Sequence, residues 1–345
     1  MRVLVIGASG YVGSRVVPAF LAAGCTVRAG ARDPASLRRF WWHERVETAE
    51  VDVTDARTLP PSLEEVDVVV YLVHGMRSAH FRQVDPAAAR QVRRAVDASS
   101  ATRMVYVSGF VPAGDPGELS DHLRSRWEVE EELCRSSRPV TTLRAGIVLG
   151  SGSTSFEVLG QLGGRLPVTV VPGWLHTKVE PIAVVDLVAA VLGAVFSDLP
   201  TRSFDVGCGR ALRYPDLLRL YGRITGMPRA QLTLPRIPST VVGKVGSWVC
   251  DVPSATLTAL IESLRHDMIA RDARWRGSLV PATYRPSTVE RALQRAVLPV
   301  DPAVPPEERD PMGPLPGDPD WAVAAAEARR YSARGIPPRR RRPPG

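Results

Sequence analysis

Cysteine and lysine are both scarce in this 345-residue chain. Its four cysteines, Cys25, Cys134, Cys208 and Cys250, lie far apart and include no Cys-x-x-Cys pair. That spacing argues against a zinc knot and against a disulfide framework, and it fits a reducing compartment. We therefore expect a cytoplasmic protein. Lysine is so rare that nearly all the positive charge belongs to arginine.

Long hydrophobic runs are also missing. No apolar stretch reaches the roughly 18 residues that a membrane-spanning helix requires. The first residues, MRVLVIGASG, lack a basic leader followed by an apolar stretch and pass directly into a strand pattern. We expect neither a transmembrane segment nor a secretory leader.

The net charge of +8 and the pI of 9.8 raise the question of a nucleic-acid partner. Four consecutive arginines, residues 339–342, account for half of that excess, and the other arginines are scattered. Such a tail contributes weak, salt-sensitive attraction to nucleic acid or anionic lipid, so no specific nucleic-acid partner is expected. An apolar helix predicted at 239–250 is assigned to core or dimer packing rather than to a membrane surface.

Short apolar runs alternate with helical patterns through the first half of the chain. This rhythm predicts an α/β fold of Rossmann type, with a doubly wound parallel sheet covered by helices on both faces. The predicted strands are 2–6, 26–31, 46–51, 68–73, 104–108 and 141–149, and the predicted helices are 10–22, 85–99 and 123–134.

The pattern loosens after Gly150, which divides the chain into three expected parts. Residues 1–150 form the Rossmann core, and residues 151–298 form a smaller C-terminal substrate lobe whose pieces return to the sheet. Residues 299–345 are rich in proline and arginine and predict an extended, largely disordered tail. Within the lobe we expect helices at 184–196, 214–225 and 255–266, with strands at 168–172 and 203–206.

A glycine triplet stands directly between the first strand and the first helix. Gly7 permits a tight turn, Gly10 lets the backbone approach a pyrophosphate, and Gly13 lets the helix pack closely on the strand. Because the triplet opens a βαβ unit, we favour a dinucleotide site over a glycine-rich turn without a ligand. The loop residues expected at the cofactor are Gly7, Ser9, Gly10, Tyr11, Val12 and Gly13.

The end of the second strand bears on the choice of dinucleotide. Arg32 stands where NAD-binding proteins carry an acid for the ribose 2′-hydroxyl, and an arginine there suits the 2′-phosphate of NADP. Arg28, Gly30 and Arg32 share one side of the strand, which would make that side cationic. Asp33 leaves NAD(H) open, since a shift of one residue would put an acid in this position. Arg32 as a solvated strand-end charge is the alternative.

Together these features resemble an extended or atypical short-chain dehydrogenase/reductase, of the NmrA-like and epimerase-like NAD(P)H-binding group. The resemblance covers about residues 1–298. It rests on the glycine motif, on Arg32, on the pair Asp52 and Val53, and on the segments VVVYLVHGM, LRAGIVLGSGSTSFE and VEPIAVVDLVAAVL. It implies NADP(H) as the preferred cofactor, a small-molecule substrate and a monomer or homodimer.

The resemblance also assigns roles to single residues. It places Asp52 and Val53 beside the adenine, Val73 and His74 beside the ribose, and Ser108 at the catalytic Ser/Thr position. Asp52 could equally cap its turn, and His74 could be a satisfied structural histidine. Ser108 could simply end its strand.

The next helix departs from the family pattern. Active members use Tyr-x-x-x-Lys, but the segment HLRSRWEVE aligns His122 with the tyrosine and Arg126 with the lysine.

Two hypotheses about function follow from this departure. In the first, the protein is an oxidoreductase or epimerase-like enzyme in which Ser108 polarises a substrate oxygen, His122 donates a proton and Arg126 anchors the ribose or a substrate anion. In the second, it is a catalytically silent NADP(H)-binding redox sensor or scaffold.

Overall fold

The computed structural model describes residues 1–74, 81–112, 119–166, 168–235, 237, 250–252, 254–319 and 322. Seven strands form one parallel sheet in the order β3-β2-β1-β4-β5-β6-β11. Their bounds are β1 Arg2–Ile6, β2 Thr26–Ala31, β3 Glu47–Glu50, β4 Val68–Tyr71, β5 Arg103–Gly109, β6 Val140–Ala145 and β11 Arg202–Val206. The predicted doubly wound Rossmann sheet is confirmed.

Helices cover both faces of the sheet, because the buried strands are apolar on both sides. One face carries α1 (Tyr11–Ala22) and α6 (Val184–Val195), packed on Val3, Val5 and the neighbouring strands. The other carries α2 (Leu59–Ser62), α3 (Phe81–Asp97) and α4 (Asp121–Leu133). Within the described residues, no helix is long and apolar enough to span a membrane.

The predicted strand 141–149 divides into two pieces. After β6, the chain leaves the sheet at Gly146 and forms the short strand β7 (Val148–Leu149), which pairs with β10 (Ile182–Ala183). A Cβ atom at Gly146 would lie 2.4 Å from the Glu180 carbonyl oxygen and 2.7 Å from the Phe110 ring. Close packing at this corner, which composition does not reveal, therefore ends the strand.

Helix α1 contains a proline, which leaves one carbonyl without its helical partner. Pro18 has no N–H to donate to the carbonyl of Ser14, four residues earlier. The buried indole of Trp42 donates to that carbonyl instead, at 3.3 Å. Trp42 also stacks on Phe40, with the ring centroids 4.8 Å apart. The segment after β2 is thereby fixed against α1.

The second half of the chain combines short strand pairs with helices. The strands are β8 (Val168–Pro172), β9 (Lys178–Val179), β12 (Leu212–Arg213) and β13 (Ala230–Leu234). The helices are α5 (Thr154–Arg165), α7 (Tyr214–Ile224), α8 (Ser254–Ser263), α9 (Trp275–Ser278) and α10 (Val289–Val297). Short 3-10 helices span Pro34–Arg39, His43–Arg45, Ala56–Thr58, Gly173–His176 and Pro306–Glu308. Strand β11 returns from this half to the central sheet.

The proline-rich segment 299–319 differs from the expected disordered tail, because it packs on the Rossmann core. Arg15 of α1 forms a bidentate ion pair with Asp318, at 2.6 and 2.8 Å, and both side chains are almost completely buried. The same guanidinium donates to the carbonyls of Pro311, Gly313 and Ser151. These contacts correct the sequence-based expectation for residues 299–319. Residues 320–345 other than Ala322, the arginine run 339–342 among them, lie outside the described residues, as does 239–249 of the predicted helix 239–250.

We expect the Arg15–Asp318 pair to be essential for stability. Replacing Asp318 by Ala leaves a buried guanidinium unpaired and should lower the free energy of unfolding by about 3–5 kcal/mol. The matched control is Asp310→Ala, which breaks a partly exposed bidentate pair with Arg295 and should cost about 1 kcal/mol or less. Urea unfolding followed by circular dichroism measures both variants. Equal losses in the two would contradict the assignment.

Candidate functional site

The predicted dinucleotide loop lies at the carboxyl edge of the sheet, at the crevice between β1 and β4 where the strand order reverses. Gly7 adopts φ +92°, a conformation that favours glycine, directly after β1. The N–H groups of Gly7 and Ala8 both donate to the Gly30 carbonyl at 3.1 Å. The turn is therefore held to β2 by backbone hydrogen bonds.

Gly13 allows α1 to approach this turn closely. A Cβ atom there would lie 2.4 Å from the Gly7 carbonyl oxygen and 2.7 Å from Cα of Ala8. Gly10 caps α1 without a side chain, and the first turn of the helix contains no acidic residue. The helix N-terminus, with the loop residues Tyr11 and Val12, therefore presents backbone N–H groups suited to a pyrophosphate.

Arg32 and Asp33 differ in what their side chains do at the end of β2. Arg32 is exposed. Asp33 caps the 3-10 helix Pro34–Arg39, and its carboxylate accepts the Ala35 N–H at 2.9 Å. The helix turns back toward the glycine loop, where the Arg39 guanidinium donates to the Ser9 carbonyl at 2.9 Å. Sequence reasoning missed Arg39, although the pair Arg38-Arg39 just after β2 was the available signal.

The expected cationic side of β2 does not include Arg28 as a free charge. Its guanidinium pairs with the Glu47 carboxylate at 2.9–3.0 Å and donates to the carbonyls of Ser62 and Glu64. Arg28 therefore ties β2 to β3 and to the turn that follows α2. The exposed arginines of this segment are Arg32, Arg38 and Arg39, of which Arg39 reaches the glycine loop.

The residues predicted beside the adenine and the ribose have different surroundings. The Asp52 carboxylate accepts the backbone N–H and the hydroxyl of Thr54, at 2.9 and 2.7 Å, so it caps its turn. Val53 is buried in the core below α2. Val73 lies against the loop, with Cγ2 3.1 Å from the position of a Cβ atom at Gly7. His74 is exposed at the end of the same segment.

Ser108 lies near the carboxyl end of β5, where its side chain is buried. Its Oγ makes no hydrogen bond of ordinary geometry within the described residues. The next residue, Gly109, lies beneath Arg126, and a Cβ atom there would be 3.1 Å from Cδ of that arginine. A glycine therefore lets the Arg126 side chain cross the strand end beside Ser108.

His122 and Arg126 face each other one turn apart on α4. The Nε–H of Arg126 donates to Nε2 of His122 at 3.1 Å. Burial lowers the pKa of His122 well below its usual 6.5, and the positive charge of Arg126 acts in the same direction. The imidazole is therefore neutral at physiological pH, with Nε2 as an acceptor. The rings of His122 and His74 lie 6.4 Å apart.

Arg126 makes no ion pair with a carboxylate within the described residues, although burial lowers its pKa. Tyr106, on the same side of β5 as Ser108, and the Asp85 carboxylate act in the opposite direction and raise that pKa. Burial raises the pKa of Tyr106 to about 12. Tyr106 is a second residue that sequence reasoning missed, since it looks like an ordinary core position of a strand.

The fold thus brings two predicted groups of residues to one sheet edge. Gly7, Gly10, Gly13 and Val73 surround the turn between β1 and α1, while Ser108, His122 and Arg126 lie at the neighbouring end of β5. His74, beside His122, lies between the two groups. This edge therefore combines a loop suited to a dinucleotide with a buried, polar and cationic cluster.

Comparisons with known proteins agree with this geometry. Residues 7–167 match the family described as NAD(P)H-binding. No curated protein matches the chain. An NADPH-dependent quinone oxidoreductase from Escherichia coli is similar in structure, with a TM-score of 0.67 and 15% identity over 86% of this chain and 99% of that one.

Two epimerase structures are also similar. A nucleoside-diphosphate-sugar epimerase from Staphylococcus aureus has a TM-score of 0.66 and 14% identity, over 85% of this chain and all of that chain. The UDP-glucose 4-epimerase from Bifidobacterium longum, in complex with NAD+ and UDP, has a TM-score of 0.56 and 16% identity, over 77% of this chain and 98% of that one. The match over residues 7–167 indicates an NAD(P)H-binding domain, and these solved structures share the fold of the chain, in agreement with the predicted resemblance.

Proposed function

We propose that this protein is an NADP(H)-dependent oxidoreductase or epimerase-like enzyme that acts on a small organic substrate in the cytoplasm, as a monomer or homodimer. The observation that carries the proposal is the buried Arg126 guanidinium, which forms no ion pair in the described part of the chain, donates to His122 and lies against Gly109, the residue after Ser108. A buried cation without an ion pair is costly, and a polar or anionic ligand would add to the partial compensation that Tyr106 and Asp85 provide.

Each of the three polar residues has a distinct role in this proposal. The nicotinamide, when bound, supplies or accepts the hydride. Ser108 donates a hydrogen bond to the substrate oxygen and polarises it. Arg126 holds the ribose or an anionic group of the substrate, because a guanidinium matches hydroxyl and carboxylate oxygens with several N–H donors.

His122 is the candidate for proton exchange, and its protonation state favours one direction. A neutral imidazole with a lowered pKa is a poor acid. It first takes a proton before it can give one to a substrate oxygen. When an alcohol is oxidised, Nε2 can accept the proton only by giving up its hydrogen bond from Arg126. Its hydrogen bond from Arg126 also keeps the guanidinium beside Ser108.

The preference for NADP(H) over NAD(H) rests on the charges at the end of β2. Arg32 is exposed there, Arg39 lies over the loop at Ser9, and the Asp33 carboxylate is used as a helix cap. Two guanidinium groups against the single carboxylate of Asp33 favour a 2′-phosphate. Asp52 and Val53 remain proposed contacts of the adenine, and Val73 and His74 of the ribose.

Calorimetry with NADPH, NADH, NADP+ and NAD+ tests the cofactor and its 2′-phosphate together. We expect NADPH to bind more tightly than NADH, and Arg32→Ser to weaken NADPH binding about tenfold or more while NADH binding stays within twofold. Arg94→Ser, the same change at an exposed arginine of α3, is the control. Gly13→Val should abolish binding, because its side chain would collide with the turn. Failure of all four dinucleotides to bind would refute the proposal.

The state of His122 can be tested by NMR titration of ¹⁵N-labelled protein. We expect its ring to stay neutral at about pH 6, with Nε2 unprotonated. Arg126→Met should raise the pKa of His122 only in part, because it removes a positive charge and leaves burial, the larger cause of the lowering. Exposed His176 provides the reference signal. The unfolded chain protonates His122 near pH 6.5 and the folded chain does not, so this group should make stability rise with pH through that range. A positively charged His122 ring at pH 6 would contradict the geometry.

Turnover distinguishes an enzyme from a silent binder. We expect Arg126→Met to lower kcat/KM by about a hundredfold by removing stabilisation of a developing charge, and His122→Phe to lower it as well. The assays are NADPH oxidation with a quinone and epimerisation of UDP-glucose, because two of the similar structures are a quinone oxidoreductase and a UDP-glucose 4-epimerase. His176→Phe is the matched control outside the site. Unchanged turnover in His122→Phe would remove His122 from the mechanism.

The second candidate is a catalytically silent redox sensor or scaffold that binds the dinucleotide. It is favoured by the pairing of His122 with Arg126, which leaves no readily acidic group where related enzymes carry a tyrosine. It predicts tight binding of NADPH without turnover in either assay, and a change of shape or partner affinity between the oxidised and reduced cofactor.

A further inference from the structure

A strongly basic cavity lies in the second half of the chain, away from the dinucleotide edge. Its volume is about 630 Å³. It is lined by residues of β9, β12 and α7, the segments that follow them, and the first turn of α10. Six cationic side chains and two carboxylates line it. The carboxylates are Asp216 and Glu290, and the cations are Lys178, Arg210, Arg213, Arg219, Arg223 and Arg229.

The two carboxylates neutralise only two of these cations. Asp216 pairs with Arg219, and Glu290 pairs with Arg210 at 2.5 Å. The other four cations form no ion pair within the described residues. An open cavity therefore keeps an excess of four positive charges. No residue of the dinucleotide loop lines it, and neither Ser108 nor Arg126 does.

Two of the uncompensated cations are direct neighbours across a strand pair. Lys178 and Arg213 are register partners in the antiparallel pair of β9 and β12, and both are exposed. Like charges directly opposite each other destabilise a strand pair. A local ion pair, the usual way to relieve such repulsion, is absent for both side chains in the part of the chain that the structure describes.

Helix α7 contributes two further arginines to the lining of this cavity. Arg219 and Arg223 are four residues apart, so they lie on one face of the helix, and like charges at this spacing repel. The Arg219 guanidinium also donates to the Gln231 side chain, which holds it at the cavity wall. Because Asp216 pairs with Arg219, the uncompensated charges that face the cavity are Lys178, Arg213, Arg223 and Arg229. An anion in the cavity would relieve their repulsion.

We propose that this cavity binds a small, multivalent anion that carries at least two phosphate groups. Arginine forks match phosphate oxygens in pairs, and a single monovalent anion would leave most of the excess charge unbalanced. The volume accommodates a ligand larger than a single phosphate ion. The site is separate from the dinucleotide site and does not depend on the proposed function.

Calorimetry with inorganic tripolyphosphate at low ionic strength tests the proposal, because salt screens exposed charges. The full-length protein is titrated with and without saturating NADPH, so that binding at the dinucleotide loop is recognised. We expect one site that persists with NADPH. Arg213→Gln and Arg223→Gln should each weaken it by about tenfold, since each removes one charged hydrogen-bond donor pair. Arg94→Gln, an exposed arginine of α3 outside the cavity, should change it by less than about twofold.

A second arm identifies the source of the phosphate groups. Vesicles of phosphatidylcholine with phosphatidic acid are sedimented with the wild-type protein and with Arg213→Gln. Binding of tripolyphosphate without vesicle binding supports a soluble ligand, and vesicle binding that Arg213→Gln abolishes supports a lipid headgroup. The proposal is overturned if tripolyphosphate does not bind, if NADPH displaces it completely, or if Arg94→Gln weakens it as much as Arg213→Gln.

Discussion

The buried guanidinium of Arg15 holds together parts of the chain that are far apart in sequence. It belongs to α1, which follows the glycine turn, and it binds Asp318, the carbonyls of Pro311 and Gly313, and the carbonyl of Ser151. A buried arginine is tolerated only when its charge and its N–H donors are satisfied together. The cofactor helix, the loop after β7 and the proline-rich segment therefore form one packed unit.

The same helix joins the dinucleotide edge to the second half of the chain through Tyr11. Its hydroxyl packs against Gly150, where an added Cβ atom would lie only 2.1 Å from the Tyr11 oxygen. Cζ of Arg15 lies 4.7 Å from the centroid of the Tyr11 ring. Burial raises the pKa of Tyr11, so the phenol stays neutral and acts as packing rather than as an acid. The second half of the chain is thus positioned by the first residue of α1, next to the glycine turn.

Regular patterns made the Rossmann core predictable. The alternation of short apolar strands with amphipathic helices, and the glycines at 7, 10 and 13, depend on local geometry that the sequence displays directly. The neighbouring pair His122 and Arg126 was also within reach, since residues four apart share a helix face. The donor and acceptor in that pair, and the lowered pKa of His122, depend on burial and on the orientation of two side chains. No local pattern carries that information.

The amino-acid sequence by itself determined the fold class, the place of the dinucleotide loop and the absence of the usual tyrosine and lysine, because each depends on residues close together in the chain. Tertiary structure alone decided that Arg28 is neutralised by Glu47 while Arg39 reaches Ser9, that residues 299–319 pack on Arg15, and that Lys178 and Arg213 share a cavity wall. The physical reason is common to all of them. A charge acts through its neighbours in space, and folding selects those neighbours from distant parts of the chain.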